Sequence, residues 1–424
     1  MQRVVSAINS GHFEDALIRL WVMAIATVDD EQQASRWQQA LPSENPAQVE
    51  TFLGRQIDGA ALSLETANDH PLALLAALDR HLHEYSRDGY RGVPTLDIGG
   101  VTYALVRRGF ARQTSASIQS PNIGAWCRYH SVIPQTLPVG ASHFTVHIVP
   151  LRFVPSAFRQ HVSCRLSHFH DEVILQIEES PASPSFRAIG LSDATCRRER
   201  LLQELNTCRS DAIGFWVAPE LTVPPLLQEE VGRLLASNPA RQLLLAVPGS
   251  FHECADGQWR NSARVFTGNG TPQPSHAKLT QFSYGRNGQG DYPRVEGIVA
   301  SRRITVFLTP LGLVGVAICK DFSDASAPEV EAVWNLIAPD WLLVPSYGDE
   351  AHTLKRHRER AREHDSRRGI RSLIANQEPS FANQHGQRVC DASAPGFLRA
   401  DGGEQAVASG GSTLQVKNPL FPSC

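Results

Sequence analysis

Leu311-Gly312-Leu313-Val314-Gly315-Val316-Ala317-Ile318-Cys319-Lys320-Asp321 decides the fold reading. An apolar run with β-branched residues at Val314, Val316 and Ile318 stops abruptly at a thiol, an ammonium and a carboxylate. A second apolar run, Trp341-Leu342-Leu343-Val344-Pro345-Ser346, follows after a segment of helical pattern. Runs of this length bounded by polar residues read as buried strands, and a helix between them predicts a parallel α/β sheet. Open α/β sheets place their ligands at the carboxyl ends of the strands, which is where Cys319 stands. The competing reading is a buried, inert thiol. Position alone leaves the two balanced.

Upstream of this stretch the rhythm is regular. Residues 186–191, 212–218, 242–247, 259–267 and 304–309 read as strands, and 197–206 and 225–235 as helices. The second of these strands ends in Pro219-Glu220, and the third is closed by Pro248-Gly249-Ser250. Lys278 lies in a loop, His276-Ala277-Lys278-Leu279. Before residue 185 the pattern differs. Pro181-Ala182-Ser183-Pro184-Ser185 reads as a linker, residues 143–149 and 172–177 as strands, and residues 13–21 and 71–85 as amphipathic helices. The division expected is a mainly helical accessory region at 1–90, a mixed strand and loop region at 91–183, and an α/β domain at 184–424. His81, His83 and Glu84 sit too close along one helix to converge on a metal.

Composition narrows the function classes. Hydrophobic content of 42% and charged content of 20% describe an ordinary globular chain of 424 residues. A formal net charge of -3 argues against bulk binding to nucleic acid. The eight cysteines form no CxxC pair and no zinc-ligand spacing, so neither a disulfide scaffold nor a metal site is expected. No stretch is apolar enough to span a membrane and no export signal opens the sequence, so the expected location is cytoplasmic.

A cysteine acts as a nucleophile when a base or a positive charge favours its thiolate. A glutamate at a neighbouring strand end could take the thiol proton and later activate water, and a lysine could stabilise the charge developing on a tetrahedral intermediate. Such parts suit attack on a carbonyl or nitrile carbon, loss of an amine and hydrolysis of a thioester. Taken singly, each residue reads as structural.

Taken in order, the segments resemble the nitrilase, or carbon–nitrogen hydrolase, superfamily over about residues 185–395. The resemblance rests on AIGFWVAPEL at 212–221, SHAKLTQ at 275–281, GLVGVAICKD at 312–321 and the segments at 341–346 and 360–376, with support from PGSFHE at 248–253 and NSARVF at 261–266. It implies a four-layer αββα sandwich. It also implies Glu220 as general base, Lys278 as the lysine that stabilises the intermediate, and Cys319 as nucleophile. Glu253, Lys320, Asp321, Ser346 and Tyr347 adjoin these segments and are the expected substrate-binding residues. A small-molecule amide or nitrile substrate, a homo-oligomer and no cofactor are implied too.

Two departures stand out. Family members carry a second glutamate after the lysine, where this sequence offers only Asp291 and Glu296 at a distance. Lys320 occupies a position that is often aromatic. The expected function is cysteine-dependent hydrolysis of a non-peptide C–N bond, most simply an amide. The alternative is a sensing or oligomerisation module of a larger assembly, for example in bacterial antiphage defence, with a protein partner bound through residues 1–183. The glycine-rich run at 285–290 lacks the strand–helix setting of a phosphate loop. The basic run at 355–368 carries interspersed acids at helical spacing and reads as a solvated helix face.

Overall fold

The computed structural model describes residues 1–28, 46–85, 93–109, 127–140, 142–151, 161–169, 175–179, 185–284, 294–323, 327–377, 395–408 and 410–417. Most of the linker at 181–185, the glycine-rich run at 285–290 and Asp291 lie outside the described residues.

The strand Trp341–Tyr347 shows why its sequence is continuously apolar. Trp341 and Leu343 face a second sheet, whereas Leu342 and Val344 face helices, so both faces of the strand are buried. Gly312–Val316 repeats the arrangement, with Val314 and Val316 on one face and Leu313 on the other. These strands lie side by side, in parallel, at the centre of an eight-stranded sheet. Its order is Gly403–Ala406, Gly396–Ala400, Arg371–Gln377, Trp341–Tyr347, Gly312–Val316, Arg303–Thr309, Ser142–Pro150 and Thr136–Val139. Arg303–Thr309 and Gly312–Val316 pair antiparallel because only two residues join them, too few for a crossover.

The second sheet runs in the order Phe251–Ala255, Gln258–Phe266, Leu245–Val247, Ile213–Val217, His161–Leu166 and Ser412–Lys417, with Pro272–Ala277 alongside Gln258–Phe266. Phe215, Val217, Leu245 and Val247 of this sheet pack against Val314, Val316, Trp341 and Leu343 of the other. The helices Pro328–Ile337 and Lys355–Arg368 cover the outer face of the eight-stranded sheet through Val333, Trp334 and Ala361. Ala194–Ser210 and Pro225–Ser237 cover the other sheet through Leu201, Leu205, Val231 and Leu235. The result is the expected αββα order of layers. Each large aliphatic or aromatic side chain buried here contributes roughly 1.5–3 kcal/mol.

Pairing runs across the boundary expected at 183/184. Ser142–Pro150 pairs in parallel with Arg303–Thr309, and His161–Leu166 pairs in parallel with Ile213–Val217, so both belong to the sandwich. Nothing in the local pattern of residues 143–149 announces a partner some 160 positions away. Leu175–Glu179 and Ser185–Leu191 also cross the boundary, forming with Arg294–Glu296 and Ser283–Tyr284 a small four-stranded sheet.

The N-terminal helices pack Leu17, Leu20, Leu74 and Leu78 against Leu105 and Val132 of a three-stranded antiparallel sheet. Two buried carboxylates fasten this unit. Asp79, on the helix Pro71–Tyr85, accepts from Tyr129 N and pairs with His130 Nδ1, each at 2.9 Å. Asp340 accepts from Arg108 Nη1 at 2.9 Å and from Leu313 N at 2.8 Å, joining the three-stranded sheet to the strand that leads to Cys319. His81 pairs with Asp58 while His83 stacks on Tyr129, so the two imidazoles point apart as their spacing predicts.

Candidate active site

Cys319 sits in the turn between the strand Gly312–Val316 and the short helix Lys320–Ser323, with φ +45°. Left-handed backbone at a residue bearing a side chain is strained, and here it marks the tight strand-to-helix turn that carries the thiol. The turn is held by Cys319 N donating to Pro345 O at 2.8 Å. Glu220 follows the strand Ile213–Val217, and its neighbour Leu221 also has positive φ, +55°. Glu220 N donates to Ser346 O across the two sheets at 3.3 Å, and Glu220 forms a parallel bridge with Ser250. Gly249 makes this approach feasible, because a Cβ there would lie 2.4 Å from Pro219 O.

Lys278 Nζ donates to Glu220 Oε1 at 2.8 Å and to Glu296 Oε2 at 2.9 Å. Asn261 Nδ2 bridges the same two carboxylates at 2.8 and 2.9 Å. Glu296 also accepts from Phe282 N, and it meets His252 Nε2 at 2.8 Å. His252 Nδ1 accepts from Ala188 N, which leaves Nε2 to carry the hydrogen given to Glu296. The four central side chains are almost wholly buried: Glu220 is 3%, Lys278 2%, Glu296 2% and Cys319 5% exposed.

Electrostatics follow from this enclosure. Burial opposes charge on Lys278, yet Glu220 and Glu296 hold its ammonium well above the ordinary lysine value. Burial likewise opposes charge on Glu296, yet Lys278, His252 and Asn261 hold its carboxylate well below the usual range. The thiol goes the other way. Burial first, then the Glu220 carboxylate, push Cys319 up to about 12, against the opposing pull of Lys278. Two carboxylates facing one ammonium leave excess negative charge beside the sulfur. The resting site therefore holds a neutral thiol within electrostatic reach of the Glu220 carboxylate.

The residues expected to bind substrate divide. Glu253 pairs with Arg264 at 3.0 Å and does not reach the cluster; on a strand, neighbours face opposite sides, and His252 is the one that enters. Asp321 faces inward but is a clamp. It accepts from Leu279 N, Thr280 N and Thr280 Oγ1, fixing the loop behind Lys278, and burial pushes it up to about 7. Lys320 Nζ donates to Gln281 O at 3.2 Å on the same loop. Ser346 and Tyr347 do meet the sulfur. Ser346 Oγ lies 3.6 Å from Cys319 Sγ, and Cys319 Sγ–H points to Tyr347 O at 3.8 Å. Burial and the Glu220 charge raise the Tyr347 phenol well above its ordinary value.

Glu296 lies 18 residues beyond Lys278, reached through the strand Arg294–Glu296, which pairs with Ser185–Leu191. It is one of the two distant acids that the sequence offers in place of a second glutamate, and spacing alone does not single it out from Asp291. Asn261 and His252 are passed over although each lies within a segment already singled out, and alternation along Phe251–Ala255 distinguishes His252 from Glu253.

The layers and the enclosed carboxylate–lysine–thiol cluster define an αββα sandwich with a buried thiol site at its strand ends. No family model and no curated protein sequence matches the chain. Solved structures similar to it include an amidase from Nesterenkonia sp. AN1 with the acetamide moiety of fluoroacetamide added at its active-site cysteine. That likeness has 16% identity, covers 63% of this chain and 94% of the amidase, and has a TM-score of 0.39. Another is the C. elegans NitFhit protein, at 12% identity, 62% of each chain and a TM-score of 0.43. A third is Saccharomyces cerevisiae Nit3, a member of branch 10 of the nitrilase superfamily, at 15% identity, 62% of this chain, 92% of Nit3 and a TM-score of 0.41.

Proposed function

We propose that this chain is a nitrilase-type hydrolase that cleaves a non-peptide C–N bond of a small amide through a thioester on Cys319. The observation that carries the reading is the Lys278 ammonium held between two buried carboxylates, within electrostatic reach of a thiol on a strained turn. As substrate enters, Glu220 takes the thiol proton while sulfur attacks the carbonyl carbon. Lys278 stabilises the oxyanion as it forms. The tetrahedral intermediate collapses, and the amine leaves with the proton held by Glu220. Glu220 next takes a proton from water, hydroxide attacks the thioester, and the acid is released as the departing sulfur takes that proton back from Glu220 to restore the thiol. Glu296, Asn261 and His252 hold the lysine and the base in register. Enclosure of all four central groups supports a small substrate, and excludes bulk water that would weaken the Lys278–oxyanion interaction.

The test is ammonia release from a panel of short aliphatic amides by wild type and Cys319→Ala. Release by the wild type alone supports the proposal. Equal release, or none from any amide or nitrile, overturns it.

A further inference from the structure

A hydrogen-bonded chain separate from the lysine cluster reaches the sulfur. Ser346 Oγ lies 3.6 Å from Cys319 Sγ and 2.9 Å from His357 Nε2, and His357 Nδ1 lies 2.6 Å from Ser323 Oγ. Ser346 and His357 are buried, and the His357 ring stands edge-on to Phe322. His357 lies on the inner face of the helix Lys355–Arg368, with Ala361 and His364. Of the other basic residues of that helix, Arg358 pairs with Glu350 and Glu404, Arg360 with Glu331 and Arg367 with Glu363.

Hydrogen counting fixes a direction. A serine hydroxyl has one hydrogen, so Ser346 can give it either to the sulfur or to His357. While Cys319 is a thiol its own hydrogen points to Tyr347 O, and either arrangement is open. Once the proton has gone to Glu220, the thiolate needs a donor. Ser346 can supply it only if His357 Nε2–H donates to Ser346 Oγ, which leaves Nδ1 bare to accept from Ser323. The neutral ring is favoured, since burial pushes His357 down to about 3. The charged groups acting on the sulfur itself are Glu220 and Lys278.

We propose that His357, set by Ser323, is a positioning residue that turns the Ser346 hydroxyl hydrogen onto the Cys319 sulfur. This rests on the reading of Cys319 as the nucleophile. The chain adds a donor to the thiolate without adding charge to the site. It acts when the thiolate forms, and again when sulfur leaves the thioester.

The experiment follows site-resolved alkylation of Cys319 by iodoacetamide against pH in the full chain, by peptide mass spectrometry. Ser346→Ala and His357→Phe should each slow alkylation about tenfold at a fixed pH below the midpoint, a displacement of about one pH unit. The double variant should be no slower than either single variant, because one chain is broken twice. His357→Gln, which keeps a donor for Ser346, should recover part of the rate. Ser323→Ala, at the far end, should give a smaller slowing and carries the test if His357→Phe does not fold. An unmoved profile in a folded His357→Phe or Ser323→Ala protein, or additive slowing in the double variant, overturns the proposal. Alkylation needs no turnover, so these outcomes stand apart from ammonia release, which tests the hydrolase reading.

Discussion

Replacing Glu220 by Gln should move two measurements on the same sulfur in opposite directions. The side chain keeps its shape, and its Oε1 can still accept from Lys278 and Asn261. What disappears is a negative charge and a proton acceptor. In the wild type, Cys319, pushed up to about 12, is almost wholly neutral thiol at pH 8. Glu220 is the second cause of that elevation after burial, and Lys278, relieved of one anionic partner, then exerts more of its pull on the sulfur. A neighbouring charge commonly moves such a group by about 1–3 units, so alkylation of Cys319 by iodoacetamide at pH 8 should quicken about tenfold or more. Acyl transfer from an amide should instead slow by about 10²–10⁴, the usual contribution of a general base. Rapid-mix alkylation and ammonia release, on one preparation, check both. Slowing of both would mean that Glu220 maintains a standing thiolate, and unimpaired ammonia release would mean that it is not the base; either refutes the reasoning.

Arg108→Ala should destabilise the chain by about 3–5 kcal/mol in denaturant unfolding, because Asp340 would be left buried without its cation. A change under 1 kcal/mol would show that the three-stranded sheet is not anchored there. His364 is buried, and neither ring nitrogen has a hydrogen-bond partner among the described residues. Burial, with Arg360 and Arg368, depresses it from 6.5 to about 3, so its contribution to stability is full above pH 6.5 and is lost as pH falls towards 3. His364→Phe should therefore flatten the loss of thermal stability between pH 6.5 and 4, and an unaltered slope would contradict this. Gly249→Ala, strained at φ +84° and 2.4 Å from Pro219 O, should lower the unfolding midpoint and slow ammonia release by displacing Glu220. Equal activity and stability would show that the loop yields without cost.

The central strands were legible because they are buried on both faces, which turns residues 311–318 and 341–346 into unbroken apolar runs. Strand ends then drew attention to Glu220 and Cys319. The edges were harder. Ser142–Pro150 and His161–Leu166 take their place by pairing with strands far along the chain, and neither periodicity nor turn chemistry reports such a partner. Polar residues near Cys319 were the least legible. Lys320, Asp321 and Ser346 look alike as candidate ligands, yet one straps a loop, one clamps it and one meets the sulfur. Only the donor and acceptor geometry separates them. His357 was hidden for another reason: ten of the fourteen residues in Lys355–Arg368 are charged, and its buried face is a narrow stripe within them.

The most direct measurement is the mass of the Cys319 peptide, quenched in acid within milliseconds to seconds of mixing the full chain with a small amide. The account predicts an acyl mass on Cys319 that forms and decays with turnover, disappears on hydroxylamine treatment, and is slow to form in Glu220→Gln. Amide hydrolysis that continues in Cys319→Ala, with no adduct on the wild-type peptide at any time, would contradict it.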